Sequence, residues 1–282
     1  MARLKRLSKR AIALIVCGVI LTLAGLGFAI MQALFMQAEK YAPWRPDYDK
    51  APLSAILDKT NLSESDYETI YRQTGLTKIG ADRMIAKGST GKSRILALQT
   101  AYFAEHTVEH DLFSPLICTD FIDEYIPCVF LEDGDILVTD STHLSGWRMG
   151  HAGLVTDGGA GEVLQASAYG SSSDLGTTKD FTDRITFMVL SPRVDPEIKK
   201  QVASYARENL LGKIYDVTCG VLSSKNKVER TQCAHIVWYA YKQFGIDLDS
   251  NGGLVITPRN LAQSPLVDVV QVFGFNPQKL WN

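Results

Sequence analysis

A cysteine lies at the start of a predicted amphipathic helix late in the chain. Apolar residues recur at helical spacing after Cys233, and Gly245 predicts the end of this helix. The apolar residues are Ile236, Val237, Ala240, Tyr241 and Phe244. With Thr231 as the predicted N-cap, Cys233 falls in the first turn. Free backbone N–H groups and the helix dipole stabilise a thiolate there, and the same groups can hold an oxyanion. A small buried cysteine that only packs the helix start is the alternative.

A nucleophilic thiol needs a base, and the base needs a group that orients it. His151 opens a predicted strand over residues 151–155, and residues 162–168 form the next predicted strand. A tight hairpin loop at residues 157–159 places His151 directly opposite Gln165, and a register shift by two makes them diagonal neighbours on the same face. The amide oxygen of Gln165 can then accept the ring N–H. A polar pair that only satisfies itself in a half-buried hairpin is the alternative.

Other residues could be the base or contact a substrate. His235 follows Cys233 by two residues, so on a helix it points to another face. His143 lies in a predicted polar loop together with Trp147, where a substrate contact and simple exposure are the two alternatives. Tyr215, in a later loop, is the third candidate for substrate binding beside Trp147 and His143.

Four short segments together resemble the circularly permuted papain-like cysteine hydrolases of the NlpC superfamily, in particular the YiiX/YebB-like branch. The segments are GDIL at 134–137, GHAGLV at 150–155, VLQA at 163–166 and QCAHIVWYAY at 232–241. The resemblance covers roughly residues 128–275. It implies that Cys233 is the nucleophile and His151 the base, and in this branch the histidine precedes the cysteine, as it does here. The third position is often glutamate in this branch and is Gln165 here, which orients imidazole without supplying a negative charge.

The N-terminus predicts a membrane anchor. Five basic residues within positions 1–10 precede residues 11–36, which carry no charge. As a helix this segment would be about 39 Å long, more than the roughly 30 Å of bilayer hydrocarbon and longer than the apolar core of a signal peptide. The alternative is a signal peptide with a cleavage site near Ala38 or Ala42. The positive-inside rule predicts a cytoplasmic N-terminus and an extracytoplasmic remainder.

The net charge of the chain beyond its N-terminal head limits the classes of macromolecule that it can bind. Five of the 29 basic residues lie in the N-terminal head, which leaves 24 against 31 acidic residues, a net charge of −7. An acidic exterior domain argues against nucleic acid as a partner. His106 and His110, with Glu105 and Glu109, could hold a metal if the helical pattern continues that far, but a solvated helix end explains them better. We expect no metal and no cofactor.

The chain has five cysteines, of which Cys17 falls in the predicted membrane span. If Cys233 is a nucleophile it stays free. Cys118 and Cys128 could then close a short disulfide loop in an oxidising compartment. The alternative is that these two and Cys219 are reduced and buried.

The pattern predicts an α+β protein in four parts. These are a cytoplasmic basic head (1–10), a transmembrane anchor (11–36), a linker and helical region (37–127), and a catalytic domain with an antiparallel sheet packed on helices (128–282). Helices are predicted at 63–74, 80–87, 94–105 and 196–210, with a helical pattern reaching about residue 110. Residues 129–138 are predicted to form a turn that enters a strand, and further strands are predicted around 151–155, 162–168, 185–190 and 267–272.

These features predict a membrane-anchored extracytoplasmic cysteine hydrolase that cleaves amide or acyl bonds through an acyl-enzyme on Cys233. Peptidoglycan peptides, or another substrate of the cell envelope, are the expected target, in line with the family resemblance. Acyl hydrolysis or transfer on lipids or lipidated substrates is one alternative. A catalytically inactive binding module at the cell surface is the other, since a fold does not guarantee a function.

Overall fold

The computed structural model describes residues 8–114 and 116–281. The helices are α1 (Lys9–Ala38), α2 (Ser54–Leu57), α3 (Glu64–Thr74), α4 (Lys78–Ile85), α5 (Gly88–Phe103), α6 (Lys179–Thr182), α7 (Pro196–Asn209), α8 (Cys233–Lys242) and α9 (Pro258–Ala262). The strands are β1 (Val108–Ser114), β2 (Ile117–Ile122), β3 (Ile136–Thr139), β4 (Thr142–Leu144), β5 (Trp147–Arg148), β6 (His151–Asp157), β7 (Glu162–Gln165), β8 (Asp174–Thr177), β9 (Phe187–Pro192), β10 (Ile214–Tyr215), β11 (Arg230–Thr231) and β12 (Val267–Phe273).

Helix α1 is apolar and exposed over most of its length, and Phe35 near its C-terminal end is buried. Ser8 caps it by accepting a hydrogen bond from the backbone N–H of Ala11 at 3.2 Å. Its most apolar stretch has a mean hydropathy of 2.6 and is 0% buried within the protein. A helix of this length and composition is compatible with a membrane anchor or a signal sequence. Most of the predicted basic head, including Arg3, Lys5 and Arg6, lies outside the described residues.

The three helices predicted between residues 63 and 105 are present, with shifted ends. Ser63 and Asp66 form a capping box at the start of α3, and Gly75 ends the helix with a left-handed φ of 72°. Helix α4 begins two residues earlier than the pattern predicted, and α5 begins at Gly88.

The prediction of helical structure up to residue 110 is wrong. Helix α5 ends at Phe103, and Ala104 already has extended dihedral angles. The chain then forms β1 and β2, which pair antiparallel. β-Branched Thr107 and Val108 favour the extended backbone at this point. His106 and His110 therefore do not share a helix face.

The prediction of a polar loop around His143 is also wrong. Residues Thr142–Leu144 and Trp147–Arg148 form the strands β4 and β5, and Ser145 turns the chain between them with a φ of 52°. These strands join β1 and β2 in a four-stranded sheet of order β1-β2-β4-β5. We call it the small sheet.

The large sheet holds six antiparallel strands in the order β12-β9-β3-β6-β7-β8. Alternate residues of its strands enter two different cores, as period-two side-chain alternation requires. On β3, Leu137 packs into the core beneath α3 to α5, whereas Ile136 and Val138 pack into the core beneath α7 and α8. The helical region thus shares one core with the sheet.

Candidate active site

Helix α8 places Cys233 at its first residue, and its cap is Gln232. The prediction of Thr231 as the N-cap is wrong. Thr231 belongs to β11, and its hydroxyl forms a hydrogen bond with His235 Nδ1 at 2.8 Å. Gln232 accepts the N–H of Ala234 through Oε1 at 3.0 Å and donates its amide N–H to the carbonyl of Ile256. The same Oε1 accepts the thiol of Cys233 at 3.4 Å. One side chain therefore caps the helix and holds the sulfur.

The Cys233 thiol is nearly buried, with 7% of the residue exposed. Burial raises its pKa, against the opposing effects of the backbone N–H groups of Ala152, Ala234 and Cys233 and of the Arg184 guanidinium. The net shift is upward, so the expectation that the helix start by itself favours a thiolate is wrong for the resting site. Desolvation of the charged form outweighs the helix dipole here.

His151 and Gln165 form the hydrogen bond that the sequence predicts. His151 Nε2 and Gln165 Oε1 lie 2.9 Å apart. Gln165 Nε2 donates to Asp180 Oδ2 at 3.1 Å, and the backbone N–H of Thr177 donates to the same oxygen at 2.8 Å. Because a carboxylate only accepts, it fixes which end of the amide faces the imidazole. His151 then donates from Nε2, which leaves Nδ1 without a proton and able to act as a base.

The register of the hairpin differs from direct opposition. Gly153 pairs with Gln165, and a bulge falls between Val155 and Asp157. His151 is therefore two residues off, in the diagonal arrangement, and both side chains still share a face. The cause is the longer turn, in which Asp157 Oδ1 accepts the N–H of Ala160 at 2.8 Å. The bulge adds a residue to β6 without moving His151 to the other face.

The imidazole of His151 sits in an apolar slot. Its ring stacks on Phe181 with centroids 5.2 Å apart and an interplanar angle of 14°. Burial and, to a smaller extent, the charge of Arg184 lower the pKa of His151 to about 3, although the hydrogen bond to Gln165 opposes both. With the raised pKa of Cys233, this makes the resting pair a neutral thiol and a neutral imidazole at pH 7.

Two charged residues of the candidate site, Asp180 and Arg184, were not predicted from the sequence. Asp180 lies on the short helix α6, and its backbone carbonyl accepts from Arg184 Nε at 2.6 Å. Arg184 also donates to Thr142 Oγ1 at 3.1 Å, and burial lowers its pKa. Its positive charge acts on both Cys233 and His151. No local pattern marks either residue, because their role depends on how α6 packs beneath the sheet.

A glycine allows the amide to reach Asp180. A Cβ on Gly176 would lie 2.2 Å from Gln165 Nε2 and 2.2 Å from Asp180 Oδ2. Both distances are far below van der Waals contact. Gly176 on β8 therefore leaves the space in which Gln165 bridges His151 and Asp180.

The three predicted substrate-binding residues lie in different places. Tyr215 pairs with Thr231, two residues before Cys233, and burial and the charge of Cys233 raise the pKa of Tyr215. Trp147 is exposed and lines a cavity of about 770 Å³ together with Met149 and Thr257. His143 is fully buried, so it does not line an accessible surface. Of the three, Tyr215 is placed beside the thiol.

His235 has both ring nitrogens engaged, by the Thr231 hydroxyl at 2.8 Å and by the Lys225 carbonyl at 2.8 Å. Neither ring nitrogen of His235 is therefore free to act as the base. Within the described residues all five cysteines are free, and Cys118, Cys128 and Cys219 are buried. The structure thus shows the reduced alternative and not the Cys118–Cys128 loop. Burial raises the pKa of Cys128 to about 12 and that of Cys219 to about 11.

No family model, curated protein or solved structure matches the chain.

Proposed function

We propose that this protein is a membrane-anchored cysteine hydrolase with Cys233 as nucleophile, His151 as base and Gln165 as the group that orients the base. The observation that carries the proposal is the bridge of Gln165 between His151 and Asp180, with the N–H of Ala152, the next residue, at the sulfur of Cys233. Thiol acyl transfer requires a histidine held in one tautomer and a thiol at a helix start, and the backbone of Ala152, next to His151 in the chain, connects the two groups here. The order of the motifs supports a permuted papain-like relationship to the NlpC superfamily.

The chemistry follows from the neutral resting pair. As the sulfur attacks a carbonyl carbon, its proton moves to Nδ1 of His151, and the carbonyl oxygen becomes an oxyanion near the N–H groups at the start of α8. The intermediate collapses to a thioester on Cys233, and the imidazolium gives its proton to the leaving amine or alcohol. Water then attacks the thioester, with its proton accepted by His151, and releases the carboxylic acid and the free thiol.

Arg184 and Asp180 supply the charges that the neutral amide of Gln165 lacks. The guanidinium of Arg184 stabilises negative charge that develops on the sulfur or the oxyanion. Asp180 lies one hydrogen bond behind Gln165 and places a negative charge on the side where the imidazolium forms. A relay of histidine, amide and carboxylate thus replaces the usual histidine and glutamate.

The exposed apolar helix α1 supports anchoring with the N-terminus in the cytoplasm and residues 37–282 outside. In a cell with a single membrane, an enzyme in this position would first meet the stem peptides of peptidoglycan. Protease added to intact cells should then remove the exterior part, whereas protection of the whole chain would contradict this orientation.

The activity is tested with the full chain in detergent. Brief treatment with iodoacetamide at neutral pH, followed by peptide mapping, should modify Cys233 ahead of Cys118, Cys128 and Cys219. Mass spectrometry of products released from isolated cell wall should show new peptide termini with wild type and none with Cys233→Ala. The matched control is Cys219→Ala, which removes a buried thiol elsewhere. Labelling of Cys233 without turnover on any substrate would favour the binding module.

A second substrate class is favoured by one surface feature. Exposed apolar side chains cluster on the loop that follows β10 and on segments beside it; they are Tyr169, Ile214, Val217, Val221, Leu222 and Leu254. The loop is continuous with Tyr215, and an exposed apolar patch on a membrane-anchored chain suits a lipid or lipidated substrate. Release of fatty acid from acyl-lipid vesicles by wild type, with no cleavage of cell wall, would establish this function.

A further inference from the structure

Four metal-ligand side chains converge on one face of the small sheet. Cys118 and Asp120 are two residues apart on β2, so their side chains share a face. The register pairs Asp120 with His110 of β1, and pairs Cys118 with His143 of β4. These four residues, which we call the β1–β2–β4 cluster, come from three strands and are separated by up to 33 positions in the chain, from residue 110 to residue 143.

Three of the four ligand atoms lie close enough together for a common centre, and the fourth, His143 Nε2, lies near the carboxylate of Asp120. Asp120 Oδ1 lies 2.9 Å from His110 Nδ1, 3.4 Å from His143 Nε2 and 3.9 Å from Cys118 Sγ. Ligand atoms bound tetrahedrally to one zinc ion at about 2.0–2.3 Å are about 3.3–3.8 Å apart. The ligand atoms of His110, Cys118 and Asp120 all lie within 4.8 Å of one another.

His143 is the observation that points to a cation. Its Nδ1 lies 2.7 Å from the carbonyl oxygen of Ser145, which only accepts, so Nδ1 carries a proton and, in the neutral ring, Nε2 is a bare lone pair. That Nε2 is buried, has no hydrogen-bond partner and faces the carboxylate of Asp120. A lone pair that faces a buried carboxylate is repulsive, so this contact requires either a proton on Nε2 or a metal cation between the two atoms. The metal titration described below distinguishes the two. A histidine that donates its other N–H to a backbone carbonyl is also the usual form of a metal ligand.

The remaining contacts of Asp120 are compatible with a ligand. Its Oδ2 accepts from Arg148 at 2.9 Å, which leaves Oδ1 for the cluster. Arg148 is itself held by the carbonyls of Ala38 and Asp140, at 3.1 and 3.2 Å. Ligating carboxylates are commonly hydrogen-bonded on their second oxygen in this way.

We propose that His110, Cys118, Asp120 and His143 form a structural zinc site, independent of the chemistry proposed at Cys233. Two imidazoles, one thiolate and one carboxylate are ligands that zinc accepts, and four protein ligands leave no open position for catalysis. On binding, the Cys118 thiol gives its proton to solvent and its sulfur bonds to the metal. The site ties β1, β2 and β4 together beside α1, where Phe35 packs against the His143 ring at 5.5 Å.

The test uses the full chain in detergent, stripped with a chelator and then titrated separately with zinc and with cobalt(II). We expect one metal ion per chain, a raised Tm with zinc, and with cobalt the intense visible bands of a tetrahedral site plus a thiolate-to-cobalt charge-transfer band. Cys118→Ser should abolish the charge-transfer band and weaken zinc binding by more than about 100-fold, which is the upper range for loss of an outer-shell partner alone.

Cys128→Ser is the matched control, because it removes another buried free thiol and should leave metal binding unchanged. His110→Gln keeps the test decisive if Cys118→Ser does not fold, since His110 is at the exposed rim of the cluster and its loss should also weaken binding. The proposal is overturned if the folded wild type binds no stoichiometric metal. It is equally overturned if neither Cys118→Ser nor His110→Gln changes the affinity or the cobalt spectrum.

Discussion

Gln165 accepts the Nε2 hydrogen of His151 at 2.9 Å from a position two residues off direct opposition in the hairpin. The amide is not free to turn, because its other end donates to Asp180. The orientation of the amide therefore determines the tautomer of the imidazole. This relationship makes the proposed base depend on a carboxylate that does not touch it.

Removing the nucleophile or the base should each abolish turnover on the identified substrate. Cys233→Ala and His151→Ala should lose at least the ~10²–10⁴-fold that a positioned base contributes. The double variant should be no worse than Cys233→Ala, because the two groups act as one unit. Steady-state kinetics of the three variants measure this. Additive losses would mean that His151 acts on something other than Cys233.

Changing Gln165 should alter the pH profile as well as the rate. Gln165→Ala should leave reduced activity, since it frees the ring without removing the base. Gln165→Glu should retain activity and move the acidic limb of the kcat/KM profile to higher pH, because a carboxylate stabilises imidazolium and raises the pKa of His151. An unchanged profile in Gln165→Glu would exclude Gln165 as the orienting group.

Gly176→Ala should act like a partial loss of Gln165. The new Cβ would lie 2.2 Å from both Gln165 Nε2 and Asp180 Oδ2, so it must displace the amide from its bridge. We expect lower kcat with little change in KM. Gly159→Ala is the control, because its Cβ would meet only a side-chain oxygen of Asp157, at 3.3 Å. Equal effects of the two substitutions would indicate a general loss of stability.

His151 should make the folded protein less stable in acid. Burial lowers its pKa to about 3 from 6.5, so between these values the unfolded state binds the proton and the folded state does not. Stability is then fully present above about pH 6.5 and falls by up to about 1.4 kcal/mol per pH unit as the pH drops towards 3. Urea unfolding at pH 7 and pH 5 should show a smaller loss for His151→Gln than for wild type. An equal loss in both proteins would place the acid sensitivity elsewhere.

Much of the candidate site could be predicted from local patterns. The helical spacing after Cys233 predicted α8, and the alternation in residues 151–168 put His151 and Gln165 on one face in either register considered. Both properties depend on backbone periodicity over a few residues. The helix cap was predicted one residue too early, because pairing of Thr231 with Tyr215 in β10–β11 is a contact between distant segments.

Only the tertiary structure determined the pKa shifts at the candidate active site and the assembly of the β1–β2–β4 cluster. Burial of Cys233 against β6 reverses the pKa shift that the helix start predicts, because desolvation depends on everything packed around the sulfur. Asp180 reaches Gln165 only through the packing of α6. The cluster of His110, Cys118, Asp120 and His143 requires a strand register that joins three separate segments. Local sequence encodes which side chains share a face, whereas long-range pairing and burial determine which faces meet and what charge they carry there.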